Sequence, residues 1–176
     1  MKKILVNPGH DVNKDPGAVN KILNLTEANI VRVIGDMVSA KLTASDYEVC
    51  CLQDNYLTGV ITAANNWQAD IFVSIHCNGF NSPQANGTET LYYSGSAAGK
   101  RLAQCLQDSL VGEFGLTDRG IKSADWAGVL KSTDMPAVIV EMAFITNDRE
   151  ARLMYDQPAR WADAIVIGIE NYFEGR

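Results

Sequence analysis

Residues 69–78 (ADIFVSIHCN) contain an almost continuous apolar run at 71–75, which ends directly before His76. A strand that is covered by helices on both faces of a parallel sheet has this composition. A second stretch, residues 136–145 (PAVIVEMAFI), repeats the pattern and places one carboxylate, Glu141, among apolar neighbours. Two such strands predict a parallel sheet at the centre of the fold.

Strand-like and helix-like segments alternate along the rest of the chain. Further strands are predicted at residues 3–6, 48–52 and 88–93, the last of them at an edge because its side chains alternate in polarity. Helices are predicted at 27–42, 58–67 and 97–110, and a last one from Pro158. We therefore predict a single α/β domain over residues 1–176, with a mostly parallel twisted sheet of about six strands and helices on both faces.

The composition limits the classes of partner. The formal net charge is −6, whereas binding to nucleic acid depends on clustered Lys and Arg side chains, so no nucleic-acid partner is expected. The sequence contains no run of about 18 apolar residues, so no membrane span is predicted. The first residues lack the apolar region of a secretory signal peptide. We therefore expect synthesis in the cytoplasm and separate release, as in phage or prophage lysis, or else a domain cut from a longer secreted protein.

The two histidines of the chain, His10 and His76, each follow a predicted buried strand. In open parallel sheets, ligands bind beyond the carboxyl ends of the strands, where neutral imidazoles are suitable zinc ligands. Taken singly, each histidine could also be a hydrogen-bonded structural residue. Their equivalent positions favour a metal site, and the absence of a Cys-x-x-Cys spacing argues against a thiolate site.

Two glutamates have more than one interpretation. An unpaired buried carboxylate is costly, so Glu141 either forms an ion pair with Lys or Arg or acts as a general base whose pKa is raised by burial. Glu27 follows Thr26, a suitable N-cap, and the helix dipole favours a glutamate in the first turn. Glu27 could also join the two histidines, since two His and one carboxylate form a known catalytic zinc site.

Five segments of the chain resemble the zinc-dependent N-acetylmuramoyl-L-alanine amidases of the Amidase_3 family. They are ILVNPGHDVNKDPGAVN (4–20), LTEANI (25–30), ADIFVSIHCN (69–78), NGTETLYY (86–93) and DRGIKSADWAGVLKSTDMPAVIVEMAFITN (118–147). The resemblance implies one zinc ion per chain, held by His10, Glu27 and His76, and it implies that Glu141 is the catalytic glutamate. The implied substrate is peptidoglycan, cleaved at the amide between the lactyl group of N-acetylmuramic acid and L-alanine of the stem peptide.

In the mechanism implied by this resemblance, the metal ion and a protein side chain have separate roles. Zinc polarises the scissile carbonyl and acidifies its bound water, and Glu141 carries the proton from that water to the leaving amine. Residues 78–87 form a polar loop directly after the strand of His76, where functional loops of α/β proteins tend to lie. We expect Asn78 and Asn81 in this loop to contact the peptide of the substrate.

Relatives controlled by cell-division factors carry an inserted helix that blocks the zinc. Here Ser94-Gly95 leads straight into the predicted helix at Ala97, so we expect that no activator is needed. We also expect a monomer. Three other functions remain open: another zinc hydrolase that cuts within the stem peptide, a metal-free cell-wall-binding module, or an α/β domain whose His and Glu residues are structural. A binding module has no need of a buried Glu141, and function is argued from the chemistry of the site.

Overall fold

The computed structural model describes residues 1–175 of the chain. The strands in this part are β1 (Lys3–Pro8), β2 (Val19–Asn20), β3 (Leu25–Thr26), β4 (Glu48–Cys51), β5 (Ile71–Asn78), β6 (Thr88–Tyr92), β7 (Asp118–Ser123) and β8 (Ala137–Phe144). Six of them form one sheet in the order β4-β1-β5-β8-β6-β7, and β2 pairs with β3 separately. The first four strands of the sheet are parallel, whereas β6 runs antiparallel to β8 and β7 runs parallel to β6.

The helices cover the two faces of the sheet unequally. They are α1 (Glu27–Ala44), α2 (Leu57–Trp67), α3 (Ala97–Phe114), α4 (Gly128–Lys131), α5 (Asp148–Asp156) and α6 (Pro158–Glu174). The first face packs against α1, α3, α5 and α6 in one large core, while the second face packs against α2 and α4 in a smaller core around Phe72. His76 and Glu141 lie beyond this smaller core and stay partly exposed. No helix of residues 1–175 is long and apolar enough to cross a membrane.

The predicted mostly parallel α/β sheet is confirmed, but the edge position of residues 88–93 is wrong. Strand β6 lies between β8 and β7, and its polar side chains are buried. Thr88 Oγ1 donates to the carbonyl of Met142 at 2.7 Å, and Thr90 Oγ1 donates to Gln107 Oε1 at 3.0 Å. The alternation of polar and apolar residues in this segment therefore comes from buried polar side chains that have hydrogen-bond partners inside the protein. The edge strand on this side of the sheet is β7, which the sequence analysis missed because DRGIKS has no apolar run.

Gly168 allows α6 to lie close against α3. A Cβ atom at this position would lie 2.8 Å from the Cα of Leu106 and 3.1 Å from the carbonyl oxygen of Cys105. Both of these are backbone atoms, so a side chain could be accommodated only if one helix moved. In the same pair of helices, Trp161 stacks on Phe114 with ring centroids 3.7 Å apart. The two helices thus pack closely together as one layer against the first face of the sheet.

We expect Gly168→Ala to lower the free energy of unfolding by about 1–3 kcal/mol, the usual cost of overpacking, although alanine is the better helix former. Gly112→Ala on α3 is the matched control, because a Cβ atom there meets nothing within 4 Å. This control should gain about 0.5–1 kcal/mol. Urea unfolding of the three proteins measures both changes, and an equal gain in both variants would show that the helices are not tightly packed at Gly168.

Candidate metal centre

His10, Glu27 and His76 meet at one edge of the sheet, where their possible ligand atoms all lie within 4.8 Å of one another. His10 directly follows the loop after β1, and His76 lies near the end of β5, which pairs with β1 in parallel. Glu27 is the first residue of α1. Three separate segments therefore bring together the three residues that were predicted as ligands.

Glu27 bridges the two histidines. Its Oε2 lies 3.1 Å from His10 Nε2, and its Oε1 lies 2.9 Å from His76 Nδ1. The same two oxygens accept hydrogen bonds from the backbone N–H groups of Ala18 at 2.8 Å and Cys77 at 3.0 Å. Although Glu27 is only 3% exposed, its carboxylate is thus satisfied from four directions.

The electrostatics of this cluster favour a positive charge between its members. Burial alone would raise the pKa of Glu27, but the hydrogen bonds from His10 and His76 outweigh it and hold this pKa well below its usual range. The hydrogen bond to Glu27 is the main reason that the pKa of His10 is raised, against the effect of burial, and Asp15 adds to the increase. A carboxylate that stabilises a cationic imidazole also favours a metal cation among the same atoms.

Two glycines bring the backbone close to the cluster. A Cβ atom at Gly9 would overlap the ring of His76, and one at Gly17 would lie 2.6 Å from both Glu27 Oε2 and His10 Cδ2. His10 itself has a φ of 62°, a left-handed conformation that is uncommon outside glycine and is adopted by histidine more often than by most other residues. The loop after β1 is thus shaped closely around the three side chains.

Asp15 is a residue of the candidate site that the sequence analysis missed. Its Oδ2 lies 2.7 Å from His10 Nδ1, and its Oδ1 accepts from the backbone N–H of Gly17 at 3.1 Å. A carboxylate behind the outer nitrogen fixes the tautomer and orientation of a ligand imidazole, so that Nε2 would be the nitrogen that faces a bound metal ion. The segment HDVNKD contains both Asp11 and Asp15, and the sequence alone does not distinguish them.

Glu141 lies on β8 in register with His76 on β5 and with Glu89 on β6. Residues in register on neighbouring strands share a face of the sheet, so these three side chains form a row. Glu141 Oε2 is buried and has no hydrogen-bond partner, and no Lys or Arg among residues 1–175 forms an ion pair with Glu141. Burial is the largest cause that raises its pKa to about 7; the charge of His76 opposes this shift, and the carboxylates of Glu27 and Glu89 reinforce it.

One of the two predicted substrate contacts lies next to this row. Asn78 is the last residue of β5, and its Nδ2 donates to Glu89 Oε1 at 3.1 Å. Asn81 is exposed in the loop that follows. The far end of this loop is held by the buried Glu150, which accepts from the backbone N–H of Gly87 at 2.9 Å. Asn78 therefore reaches the row directly, whereas Asn81 lies on the surface of the loop.

A cavity of about 230 Å³ opens beside His10 and His76. Its walls also include Asn7, Ser74, Leu57 and Val129. A larger cavity of about 530 Å³ lies between the start of α1 and the region around the end of α5, but none of the three clustered residues lines it. The smaller cavity is therefore the one that borders the two histidines of the candidate metal centre.

Comparison with known sequences shows similarity to one family of enzymes. The family model described as N-acetylmuramoyl-L-alanine amidase matches residues 4–171. The amidase LytC of Bacillus subtilis is 37% identical over 180 residues, which cover 97% of this chain and 35% of LytC. The endolysin of Bacillus phage SPP1 is 36% identical over 165 residues, which cover 87% of this chain and 58% of the endolysin. The chain thus spans only part of the length of these relatives.

Solved structures show the same similarity over the whole chain. The catalytic domain of the N-acetylmuramoyl-L-alanine amidase CwlV from Bacillus (Paenibacillus) polymyxa var. colistinus is 32% identical, with a TM-score of 0.90 and 100% of both chains covered. The amidase CwlD from Clostridioides difficile, solved in complex with the lipoprotein GerS, is 27% identical, with a TM-score of 0.94 and the same coverage.

We expect Asp15→Asn to weaken zinc binding about 10- to 100-fold, the usual effect of losing a carboxylate behind a ligand histidine. Asp11→Asn is the control, because Asp11 lies in the same loop and its side chain forms no hydrogen bond with His10. Titration of each protein against a chromogenic zinc chelator gives the affinities. Equal affinities for the wild-type protein and Asp15→Asn would contradict this role of Asp15.

Proposed function

Because the chain belongs to the N-acetylmuramoyl-L-alanine amidase family, we propose that it hydrolyses the amide between the lactyl group of N-acetylmuramic acid and L-alanine of the peptidoglycan stem peptide. The observation that carries the proposal is the convergence of His10, Glu27 and His76 on the sheet edge that also presents Glu141. The whole chain is proposed to act as one catalytic domain at the bacterial cell wall, in keeping with its similarity to amidases and an endolysin.

We propose one zinc ion per chain, held by His10, Glu27 and His76. Two imidazoles and one carboxylate are a donor set of catalytic zinc sites, which keep a further position open. The fit is supported by the mutual distances within 4.8 Å, by the close backbone at Gly17 and by the orientation that Asp15 gives to His10. When bound, zinc supplies Lewis acidity toward the scissile carbonyl and lowers the pKa of water.

Glu141 is the proposed general base and acid. Its Oε2 has no protein partner, and its side chain shares a sheet face with His76, so the carboxylate is available to a water molecule beside the cluster. The chain contains two histidines and both belong to the cluster, so no imidazole remains for proton transfer. Glu141 would take the proton of the attacking water and return it to the leaving amine of L-alanine.

Asn78 and Asn81 are the proposed contacts for the peptide. Asn78 lies beside Glu89 in the same region as Glu141, and Asn81 is exposed on the loop that begins at the end of β5. A side-chain amide both donates and accepts hydrogen bonds, as a peptide backbone requires. These two residues would orient the stem peptide on the amine side of the scissile bond.

Product analysis on purified peptidoglycan tests the proposed function. We expect the protein to release free amino groups of L-alanine, and Glu141→Gln to keep its fold and zinc while losing at least about 100-fold in rate, the usual scale for acid–base catalysis. His76→Ala should lose zinc as well as activity. New amino groups from another residue of the stem peptide would contradict the assigned bond, and a zinc-free Glu141→Gln protein would contradict the assigned role of Glu141.

We also propose that the protein acts as a monomer without an activator. One chain supplies His10, Glu27, His76 and Glu141, so the site needs no second copy. The connection between β6 and α3 spans only residues 93–96, which is too short to cross the site and cover it. The similar amidase CwlD was solved in complex with a lipoprotein partner, GerS.

Purified protein alone should digest cell walls, because no segment between β6 and α3 is long enough to shield the three clustered residues. The decrease in turbidity of a cell-wall suspension measures the rate, and size-exclusion chromatography gives the state of association. Limited proteolysis serves as the control and should not raise the rate. A protein that is silent until it is cut, or until a second protein is added, would contradict the proposal.

A further inference from the structure

Strand β7 contains an irregularity at the edge of the sheet next to the row of His76, Glu141 and Glu89. Residues 88–90 of β6 pair with residues 118–121 of β7, so β7 has one more residue than β6 over this length. Gly120 in this bulge has a φ of 74°, a conformation that glycine adopts without strain. Bulges of this kind redirect side chains and are common beside active sites.

The bulge allows two cationic side chains to contact the same carboxylate. Arg119 and Lys122 are three residues apart and would point to opposite faces of a regular strand. Instead, Arg119 Nε and Lys122 Nζ each lie 2.6 Å from the same oxygen, Glu89 Oε2. The other oxygen of Glu89 accepts from Asn78 Nδ2. Burial would raise the pKa of Glu89, but Lys122 and Arg119 outweigh it and lower this pKa.

The two cations are more exposed than the carboxylate that holds them. The side chains of Arg119 and Lys122 are 35% and 44% exposed, whereas that of Glu89 is 11% exposed. Arg119 gives one further hydrogen bond, from Nη1 to the carbonyl of Asn86 at 3.4 Å, and its guanidinium lies 5.0 Å from the ring centroid of Phe144. An arginine has five N–H donors and a lysine three, so donors of both side chains remain for a ligand.

The distance between the candidate metal centre and the two cations can be spanned by a short extended peptide. His76, Glu141 and Glu89 lie on three successive strands, and β7 is the next strand. Neighbouring strands are about 4.8 Å apart, so the cations are roughly 10–14 Å from His76 along the row. An extended peptide advances about 3.3–3.6 Å per residue, so about three residues span the shorter of these distances. A carboxylate on the side chain of the second or third residue can therefore reach these cations.

We propose that Arg119 and Lys122 form a subsite for a carboxylate of the stem peptide, two or three residues beyond the scissile amide, and that Glu89 positions them. Paired cations with remaining N–H donors bind carboxylates through charge-assisted hydrogen bonds. The inference rests on the proposed amidase function and adds the class of stem peptide that the site prefers. A glutamate with a free carboxylate at the second position and a diamino dicarboxylic acid at the third both offer this group.

Four muramoyl peptides separate these two sources. They carry a carboxylate or a carboxamide at the second residue, each combined with diaminopimelate or lysine at the third. For the wild-type protein, kcat/KM should be about tenfold higher for peptides that carry the carboxylate bound by the subsite than for peptides that lack it. This difference should come mainly from KM. Because the cations are partly exposed, this preference should fall as the salt concentration rises.

Lys122→Gln should reduce the preference to about one and remove its dependence on salt, while Arg119 continues to pair with Glu89. Lys100→Gln is the matched control. It removes the same charge from an exposed position on α3, which packs on the other face of the sheet, and it should keep the wild-type preference.

Equal kcat/KM values for all four peptides in the wild-type protein would overturn the proposal. A Lys122→Gln protein that slows all four peptides equally through kcat would also overturn it, because the cations would then only neutralise Glu89. Failure of the amidase function is separate, since it would appear as no release of L-alanine from any peptide. Calorimetric binding of the four peptides to Glu141→Gln tests the preference without turnover.

Discussion

A buried carboxylate at the first residue of α1 links the separate parts of this structure. Glu27 can be buried at low cost only while His10, His76 and the backbone N–H groups of Ala18 and Cys77 all reach it. These partners come from the loop after β1 and from the end of β5. The position of α1 on the sheet, the conformation of the loop and the register of the two strands are therefore fixed together, and the candidate metal centre is the point at which they meet.

The direction of one strand completes the site. Strand β6 runs antiparallel to β8, so its first residues lie at the same edge of the sheet as the last residues of β5 and β8. Glu89 thereby comes into register with Glu141, and β7 follows with Arg119 and Lys122. A parallel β6 would place its first residues at the opposite edge. The row from His76 to the cations thus depends on a reversal of chain direction within a mostly parallel sheet.

The sequence predicts those parts of the structure whose signals are local. The apolar runs of β5 and β8 identify the central strands, and they also identify His76 and Glu141 as unusual residues. The interior position of β6 was not predictable in this way, because Thr88 is satisfied by the carbonyl of Met142, 54 residues further along the chain. Asp15 was missed for a related reason: its role is defined by contact with His10, which follows from the fold of the loop and not from composition.

The unequal covering of the sheet has a consequence for how the sequence can change. Along β8, side chains alternate between the large core under α3 and α6 and the face that carries Glu141, so Val140 and Met142 belong to the core. A shift of the β8 register by one residue would exchange the side chains on the two faces of the strand. It would place a carboxylate in the core and an apolar group in the row beside His76. Insertions and deletions within β5 or β8 should therefore be eliminated by selection, whereas single substitutions can alter reactivity and core packing independently of each other.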